Sequence, residues 1–466
     1  MRADEWIAVI DGPALRGRTS AEAMVQASLV RIAASQPRIN AYITVRAEEA
    51  LAEARVLDER RSRGEATGPL AGLPVAVKDN IDVAGTLGTA GSAFWADRVP
   101  SHDAEVVRRM QAAGAVVVGK TALHEFAYGV TTNNPHFGPA RNPWDPSRIP
   151  GGSSGGSGAA LAADTCILAL GTDTGGSVRI PAALNGVSSL RPTFGAISTR
   201  GSCPVSASLD TVGPMARALE DVAALFEVLA GFDPADPWAV EHELASAAGE
   251  PRDLAGLRIG LPAEFFFEDV EPDIEHAVRA AADRLVELGA DVREVSVPGA
   301  SAAVSTANGL IRAEALSVHA ERLAMEPERF GADVRRRLEL GREITGVDVA
   351  RALRGMREWR AEMLEVFADF DLILSPTTNA VAPPVATSEM IETTARLTRF
   401  TYAWSLAGMP AASVPCGASA DGLPVGMQLA AAPWHDRVVL RAGIAYQAAT
   451  DWHRRRPPLD APSAAD

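Results

Sequence analysis

The sequence is poor in cysteine, in positive charge and in long apolar runs. Its cysteines, Cys166, Cys203 and Cys416, are an odd number without metal-ligand spacing, which argues against a disulfide framework and a zinc site. Acidic residues outnumber basic ones by 59 to 44, so a direct nucleic-acid or membrane-surface binder is not expected. No apolar run reaches the length of a membrane span, and the first residues lack a signal-peptide pattern. These features predict a reduced, cytoplasmic protein that needs no metal or cofactor.

Lysine is the scarcest charged residue. Of the 44 basic residues, only Lys78 and Lys120 are lysines, and all others are arginines. A guanidinium keeps its proton near neutral pH, whereas a buried ammonium can lose it. A lysine retained in such a sequence is therefore a candidate for work that needs a neutral amine. Lys78 ends the apolar stretch 75–77 and is the stronger candidate, while chance survival or a packing role is favoured for Lys120.

The order of helical and strand-like patterns predicts an α/β fold around one mixed sheet. A helix-turn-strand pattern at 103–118 has a counterpart at 273–297, and the stretch 412–430 is typical of a hairpin. We expect a single domain over 1–466, interrupted by a helical insertion. Its predicted segments are N-terminal helices at 1–68, a core that carries the glycine-rich motifs at 69–235, a mainly helical insertion at 236–370, strands and a helix that complete the core at 371–457, and a tail at 458–466.

One glycine-rich motif, GTDTGGS at 171–177, follows a predicted buried strand and ends at Ser177. Two glycines before a serine allow a sharp turn that exposes consecutive backbone N–H groups beside the hydroxyl. Such groups can stabilise an oxyanion that develops next to the serine. On this motif alone, an ordinary glycine-rich turn is an equally good interpretation.

A second motif, GGSSGGSG at 151–158, ends an irregular segment that starts near residue 141. It lacks the lysine of a phosphate-binding P-loop. It matches the G-x-S-x-G elbow of α/β-hydrolases in letters, but a loop and not a strand precedes it, and no histidine downstream has a matching context. A flexible linker is the third alternative, which the structured pattern on both sides disfavours.

Three stretches together, 73–80, 151–157 and 171–179, resemble the amidase signature family, and the resemblance extends to the stretch 422–428. It implies an α/β/α sandwich around a large mixed sheet, and hydrolysis of a small-molecule carboxamide through an acyl-enzyme. By the same resemblance, Ser177 is the nucleophile and Lys78 is the base. Ser153 has a cis peptide bond and passes the proton between them. Serine–lysine pairs are an established alternative to serine–histidine.

The resemblance also implies an oxyanion hole and a substrate pocket. The oxyanion hole is expected from the N–H groups of Thr174, Gly175 and Gly176. The substrate-contact candidates are Tyr128, Val130, Ser154 and Thr172, although Ser154 serves equally well as a backbone cap. Arg179 is expected to pair with a buried carboxylate. The pair His124–Glu125 lacks HExxH spacing, so we expect no metal there.

Three functions remain open at this point. The favoured one is a stand-alone amidase that releases ammonia or an amine, and family likeness is compatible with a homodimer. The second is the glutaminase component of a tRNA-dependent amidotransferase complex, in which partner subunits handle the RNA. The third is an inactive scaffold that keeps the fold for partner binding, which the intact Ser177, Ser153 and Lys78 argue against.

Overall fold

The computed structural model describes residues 1–242, 253–387 and 390–459. Most of the predicted tail, 460–466, lies outside these residues. The helices are α1 Ala3–Asp11, α2 Pro13–Arg16, α3 Ala21–Ile39, α4 Ala47–Ser62, α5 Glu105–Ala112, α6 Gly155–Ala162, α7 Arg179–Asn185, α8 Leu219–Leu229, α9 Pro272–Glu287, α10 Ala300–Met325, α11 Ala332–Gly341, α12 Gly346–Asp369, α13 Met390–Leu397, α14 Tyr402–Leu406 and α15 Asp436–Ala448. The strands are β1 Tyr42–Val45, β2 Pro74–Lys78, β3 Val116–Thr121, β4 Asn133–Asn134, β5 Gly138–Pro139, β6 Leu168–Asp173, β7 Ser188–Arg191, β8 Thr211–Ala216, β9 Arg258–Pro262, β10 Asp291–Val295, β11 Leu372–Pro376, β12 Ala411–Ala418 and β13 Pro424–Ala430.

Helix boundaries follow local capping chemistry. Ser20 precedes α3 and accepts a hydrogen bond from Ala23 N (3.1 Å), which satisfies one of the free N–H groups of the first turn. Asn40 ends that helix in the left-handed conformation that asparagine tolerates. Thr345 and Asp348 form a reciprocal capping box at the start of α12. Sequence signals of this kind are local, so they determine where helices begin whatever they pack against.

Within the described residues, a mixed sheet of eleven strands has the order β1-β3-β2-β6-β8-β7-β12-β13-β11-β9-β10. The triplet β3-β2-β6 is parallel, as is β11-β9-β10, and the strands between β6 and β11 pair antiparallel. The predicted hairpin is β12–β13. No helix in this part of the chain is both long and apolar enough to cross a membrane.

Alternating side chains on the central strands explain why helices lie on both faces of the sheet. Val75 and Val77 of β2 belong to the same apolar cluster as Met110 of α5. Between them, Ala76 belongs to a different cluster, with Ala159 of α6. Because successive residues of a strand point to opposite faces, these clusters lie on the two sides of the sheet. The α/β/α sandwich is therefore confirmed.

Two predicted helical segments contain strands of this sheet. Strand β1 lies within 1–68, and it pairs with β3 at one edge. Strands β9 and β10 lie within 236–370, where they extend the opposite edge. The long helices of that segment, α10 and α12, start only after β10. Trp359 of α12 is buried and donates a hydrogen bond to Ala403 O (2.7 Å), which fastens these helices to the core.

The parallel pair β2–β6 places the predicted motifs together. Lys78 is the last residue of β2, and Asp173 is the last residue of β6. Because parallel strands have their carboxyl ends at one edge, the segments that follow them converge there. The irregular segment predicted to reach residue 158 becomes helical at Gly155, the first residue of α6.

Candidate active site

Lys78 lies fully buried at the end of β2, within hydrogen-bond distance of two hydroxyl groups. Its Nζ is 2.7 Å from Ser153 Oγ and 2.7 Å from Thr172 Oγ1. Asn80 Nδ2 also donates to Thr172 Oγ1, at 3.1 Å. The ammonium pocket is thus built from hydroxyls and not from a carboxylate in contact with the lysine.

This environment lowers the pKa of Lys78 from 10.5 to about 7. Burial is the main cause, because it disfavours the charged ammonium. The negative charges of Asp210 and Asp173 act in the opposite direction. Near neutral pH, Lys78 can therefore exist as the free amine that a general base requires.

Ser153 lies in a buried loop whose backbone is held on several sides. The peptide bond between Gly152 and Ser153 is cis, as the family resemblance implied. Thr132 Oγ1 donates to Gly151 O (2.7 Å) and accepts from Gly155 N (3.2 Å). Burial and hydrogen bonding exclude the flexible-linker alternative, and no strand leads into the loop as a hydrolase elbow would need.

The loops of the two serines are joined directly. Ser154 N donates to Ser177 O (3.2 Å), and Ser154 Oγ donates to Thr172 O (3.2 Å). Ser154 is fully buried, so its side chain supports the backbone and does not line the substrate cavity. This outcome matches the capping alternative and corrects the substrate-contact prediction.

Asp173 organises the turn that carries Ser177. Arg179 donates to both of its carboxylate oxygens (2.9 and 3.1 Å), and Arg191 Nη1 lies 3.1 Å from Oδ1. Burial favours a raised pKa for Asp173, but Arg179 and Arg191 outweigh it and hold that pKa well below its ordinary value. The predicted pairing of Arg179 with a buried carboxylate is confirmed.

The same carboxylate changes the expected oxyanion hole. Gly176 N donates to Asp173 Oδ1 at 2.8 Å, so this N–H already has an acceptor. The N–H groups of Thr174 and Gly175 have no hydrogen-bond acceptor among the described residues. A Cβ added to Gly175 would lie 1.9 Å from Cε1 of Tyr402, so only glycine fits there. The geometry leaves two of the three predicted donors available.

Ser177 opens onto a small cavity of about 80 Å³. Tyr128 and Val130 line it, as predicted, together with Thr174 and Gly175. Thr172 does not line it, because its hydroxyl faces Lys78. Thr172 is therefore a positioning residue for the lysine and not a substrate contact. In the described part of the chain, no group of three or more His, Cys, Asp or Glu side chains could hold a metal ion.

Sequence reasoning missed the polar residues that the helices contribute to this cavity. Asn308 and Arg312 come from α10, and Arg337 comes from α11. No motif marks them, and they lie far along the chain from Ser177. The available signal was that an amphipathic helix in this region must present some face to the site.

Comparison with known proteins gives a consistent picture. Residues 23–440 match the family model for amidases. The chain is 40% identical over 470 residues to the A-type component of the glutamyl-tRNA(Gln) amidotransferase of Roseiflexus sp. strain RS-1, with 96% of each protein covered. A solved chain described as part of a vestigial protein complex that reveals the evolutionary origins of an s-triazine catabolic enzyme has a TM-score of 0.89 and 38% identity, over 96% of this chain and 98% of that chain. The corresponding component of the glutamyl-tRNA(Gln) amidotransferase of Thermotoga maritima has a TM-score of 0.78 and 35% identity, over 90% of each chain. Since the matched stretch includes the buried lysine, both serines and the glycine-rich turn, the chain belongs to the amidase signature family.

Proposed function

We propose that this enzyme hydrolyses the C–N bond of a small carboxamide through Ser177, Ser153 and Lys78. The observation that carries the proposal is the fully buried Lys78, with its lowered pKa and its Nζ 2.7 Å from Ser153 Oγ, next to a serine that opens onto a cavity. A buried amine of this kind has no evident structural purpose, because a charged lysine is unfavourable there. The small cavity suits a small substrate.

In the first half-reaction, the neutral amine of Lys78 accepts the proton of Ser153, which accepts the proton of Ser177. Ser177 Oγ forms a bond to the amide carbon, and the N–H groups of Thr174 and Gly175 stabilise the oxyanion. The C–N bond then breaks, and the proton returns through Ser153 to the departing nitrogen. Ammonia or an amine leaves, and Ser177 holds the acyl group.

In the second half-reaction, water gives a proton to the same relay and its oxygen attacks the acyl carbon. The ester bond to Ser177 breaks, and the serine regains its proton. The products are a carboxylic acid and a free enzyme. No group other than water enters the balance, so the proposal needs no cofactor.

A second candidate is a glutaminase that works within an amidotransferase complex. Identity of 40% to a component of a glutamyl-tRNA(Gln) amidotransferase favours it. In that case glutamine is the amide, and partner subunits use the ammonia and bind the tRNA. The inactive scaffold, the homodimer and the cytoplasmic location stay predictions, and the intact lysine and serines count against the scaffold.

The test is ammonia release from a panel of amides by the purified chain. The panel contains indoleacetamide, malonamide, benzamide, a biuret derivative, asparagine and glutamine, with Ser177→Ala and Ser153→Ala as controls. We expect turnover of at least one small amide, lost about 10³-fold or more in Ser177→Ala. Full activity in that variant would refute the nucleophile assignment. Turnover of glutamine alone, and only with added partner subunits, would establish the second candidate.

A further inference from the structure

The cavity beside Ser177 carries positive charge that the proposed mechanism does not use. Arg312 and Arg337 both line it, and none of its described lining residues is an aspartate or a glutamate. Burial raises the pKa of the Tyr128 phenol well above its ordinary value, while Arg337 and Arg312 oppose that effect. Both guanidinium groups therefore act on the interior of the cavity.

The two arginines differ in what holds them. Arg337 is buried, its Nε donates to Asp333 Oδ2 (2.9 Å), and its Nη2 donates to Thr394 Oγ1 (2.9 Å). Its charge is thus largely balanced by the Asp333 carboxylate. Arg337 has a structural reason to be present even when the cavity is empty.

Arg312 has no such partner. Its guanidinium makes no hydrogen bond or ion pair with any residue in the described part of the chain, although the side chain is partly buried. Its neighbours in the cavity wall include the apolar Ile311 and Leu340. A guanidinium with five donors next to an apolar wall gains most from an anion that it can bind through two hydrogen bonds.

Asn308 adds a second polar group on the same side of α10. It lies four residues before Arg312, so the two side chains are neighbours on the helix surface, and both line the cavity. The Asn308 amide likewise has no hydrogen-bond partner among the described residues. Two unpaired polar side chains one turn apart form a surface that is suited to a planar oxygen acid.

We infer that Arg312, supported by Asn308, binds a carboxylate of the substrate, so that the preferred substrate is an amide acid. This inference rests on the proposed amide hydrolysis and specifies its substrate class: a short chain with a carboxamide at one end and a carboxylate at the other. An ammonium group on that chain is disfavoured, because it meets two guanidinium groups and no described acidic partner. The inference therefore ranks a simple amide acid above free glutamine.

The test compares succinamate with 4-oxopentanamide, in which an uncharged methyl ketone replaces the carboxylate. Binding is measured by calorimetry on Ser177→Ala, with and without Arg312→Gln, so that the result does not depend on turnover. We expect Arg312→Gln to weaken succinamate binding by about 10-fold to 100-fold and to change 4-oxopentanamide binding by less than about 3-fold. The matched control is Arg336→Gln, which removes an exposed guanidinium of α11 that does not line the cavity.

Turnover by the chain with Ser177 intact separates the two proposals. If amides are hydrolysed and succinamate shows no advantage that Arg312→Gln removes, the carboxylate site is wrong and the amidase stands. If succinamate binds through Arg312 but no amide is hydrolysed, the carboxylate site stands and the proposed function fails. Equal weakening of both ligands by Arg312→Gln, or equal weakening by Arg336→Gln, would overturn the inference. Glutamine that binds as tightly as succinamate would overturn the predicted exclusion of an ammonium.

Discussion

The protonation of Lys78 should control the rate of acylation. Its pKa of about 7 in place of 10.5 corresponds to about 5 kcal/mol in favour of the neutral amine, at about 1.4 kcal/mol per pKa unit. At that pKa about one lysine in ten is neutral at about pH 6, and about nine in ten are neutral at about pH 8. The rate of serine acylation should follow this fraction.

The measurement is kcat/KM for an uncharged amide between about pH 5.5 and 9, since such a substrate does not titrate itself. We expect a tenfold fall for each pH unit below about 7 and a plateau above about 8. Loss of folding linked to Lys78 does not explain the acid limb, because below pH 7 the lysine is protonated in both folded and unfolded chains. Between pH 7 and 10.5 the unfolded chain binds more protons, so this group makes the free energy of unfolding rise with pH there.

Two variants make the interpretation specific. His124 is buried near the cavity, 3.0 Å from Asp333, and an ordinary histidine titrates close to the same pH. His124→Gln should keep the acid limb. Lys78→Arg should lose activity by about 10³-fold or more, because a guanidinium does not deprotonate in this range. A flat pH profile, or a limb that disappears in His124→Gln, would refute the assignment of Lys78 as the base.

Two further substitutions test the turn that carries the nucleophile. Gly175→Ala places a Cβ 1.9 Å from Tyr402 Cε1, so we expect displacement of the turn and a fall in kcat of at least about 10²-fold; unchanged kcat would contradict the tight fit. Asp173→Asn leaves the guanidiniums of Arg179 and Arg191 buried without their shared anion, and we expect urea denaturation at pH 7 to show a loss of about 3–5 kcal/mol. Since the pKa of Asp173 is lowered on folding, its stabilisation is present above about pH 4 and should disappear as the pH falls, which a pH series of melts would check.

The central sheet and the site motifs could be predicted because their signals are local. Glycine pairs and serines follow predicted strands, and parallel neighbours bring the ends of those strands to one edge. The same rule explains Thr172, which lies on β6 beside β2 and so reaches Lys78. Alternation along β6 was available in the sequence, but the pairing partner was not, and the role of Thr172 depends on that partner.

Other parts could not be predicted, because they depend on contacts between distant segments. Strand β10 has exposed residues at Asp291, Arg293 and Glu294, which is typical of an edge strand and gives a weak apolar pattern. The Gly176 N–H binds Asp173, three residues earlier, a local turn that competes with the expected oxyanion role. Arg312 reaches the cavity only through the packing of α10, and no spacing rule predicts that.

The two lysines show how one compositional bias has two different physical causes. Both are fully buried, and they end or nearly end the adjacent parallel strands β2 and β3. Lys78 faces hydroxyls, so its ammonium is destabilised and its proton can leave. Lys120 instead forms an ion pair with Asp79, with Nζ 2.9 Å from Oδ1, in a site closed to solvent. A guanidinium is larger and planar, and a close-packed site of this kind has no room for it. Arginine is therefore excluded at position 120 by shape and at position 78 by proton chemistry, so that the scarcity of lysine indicates burial at both positions and catalysis at only one.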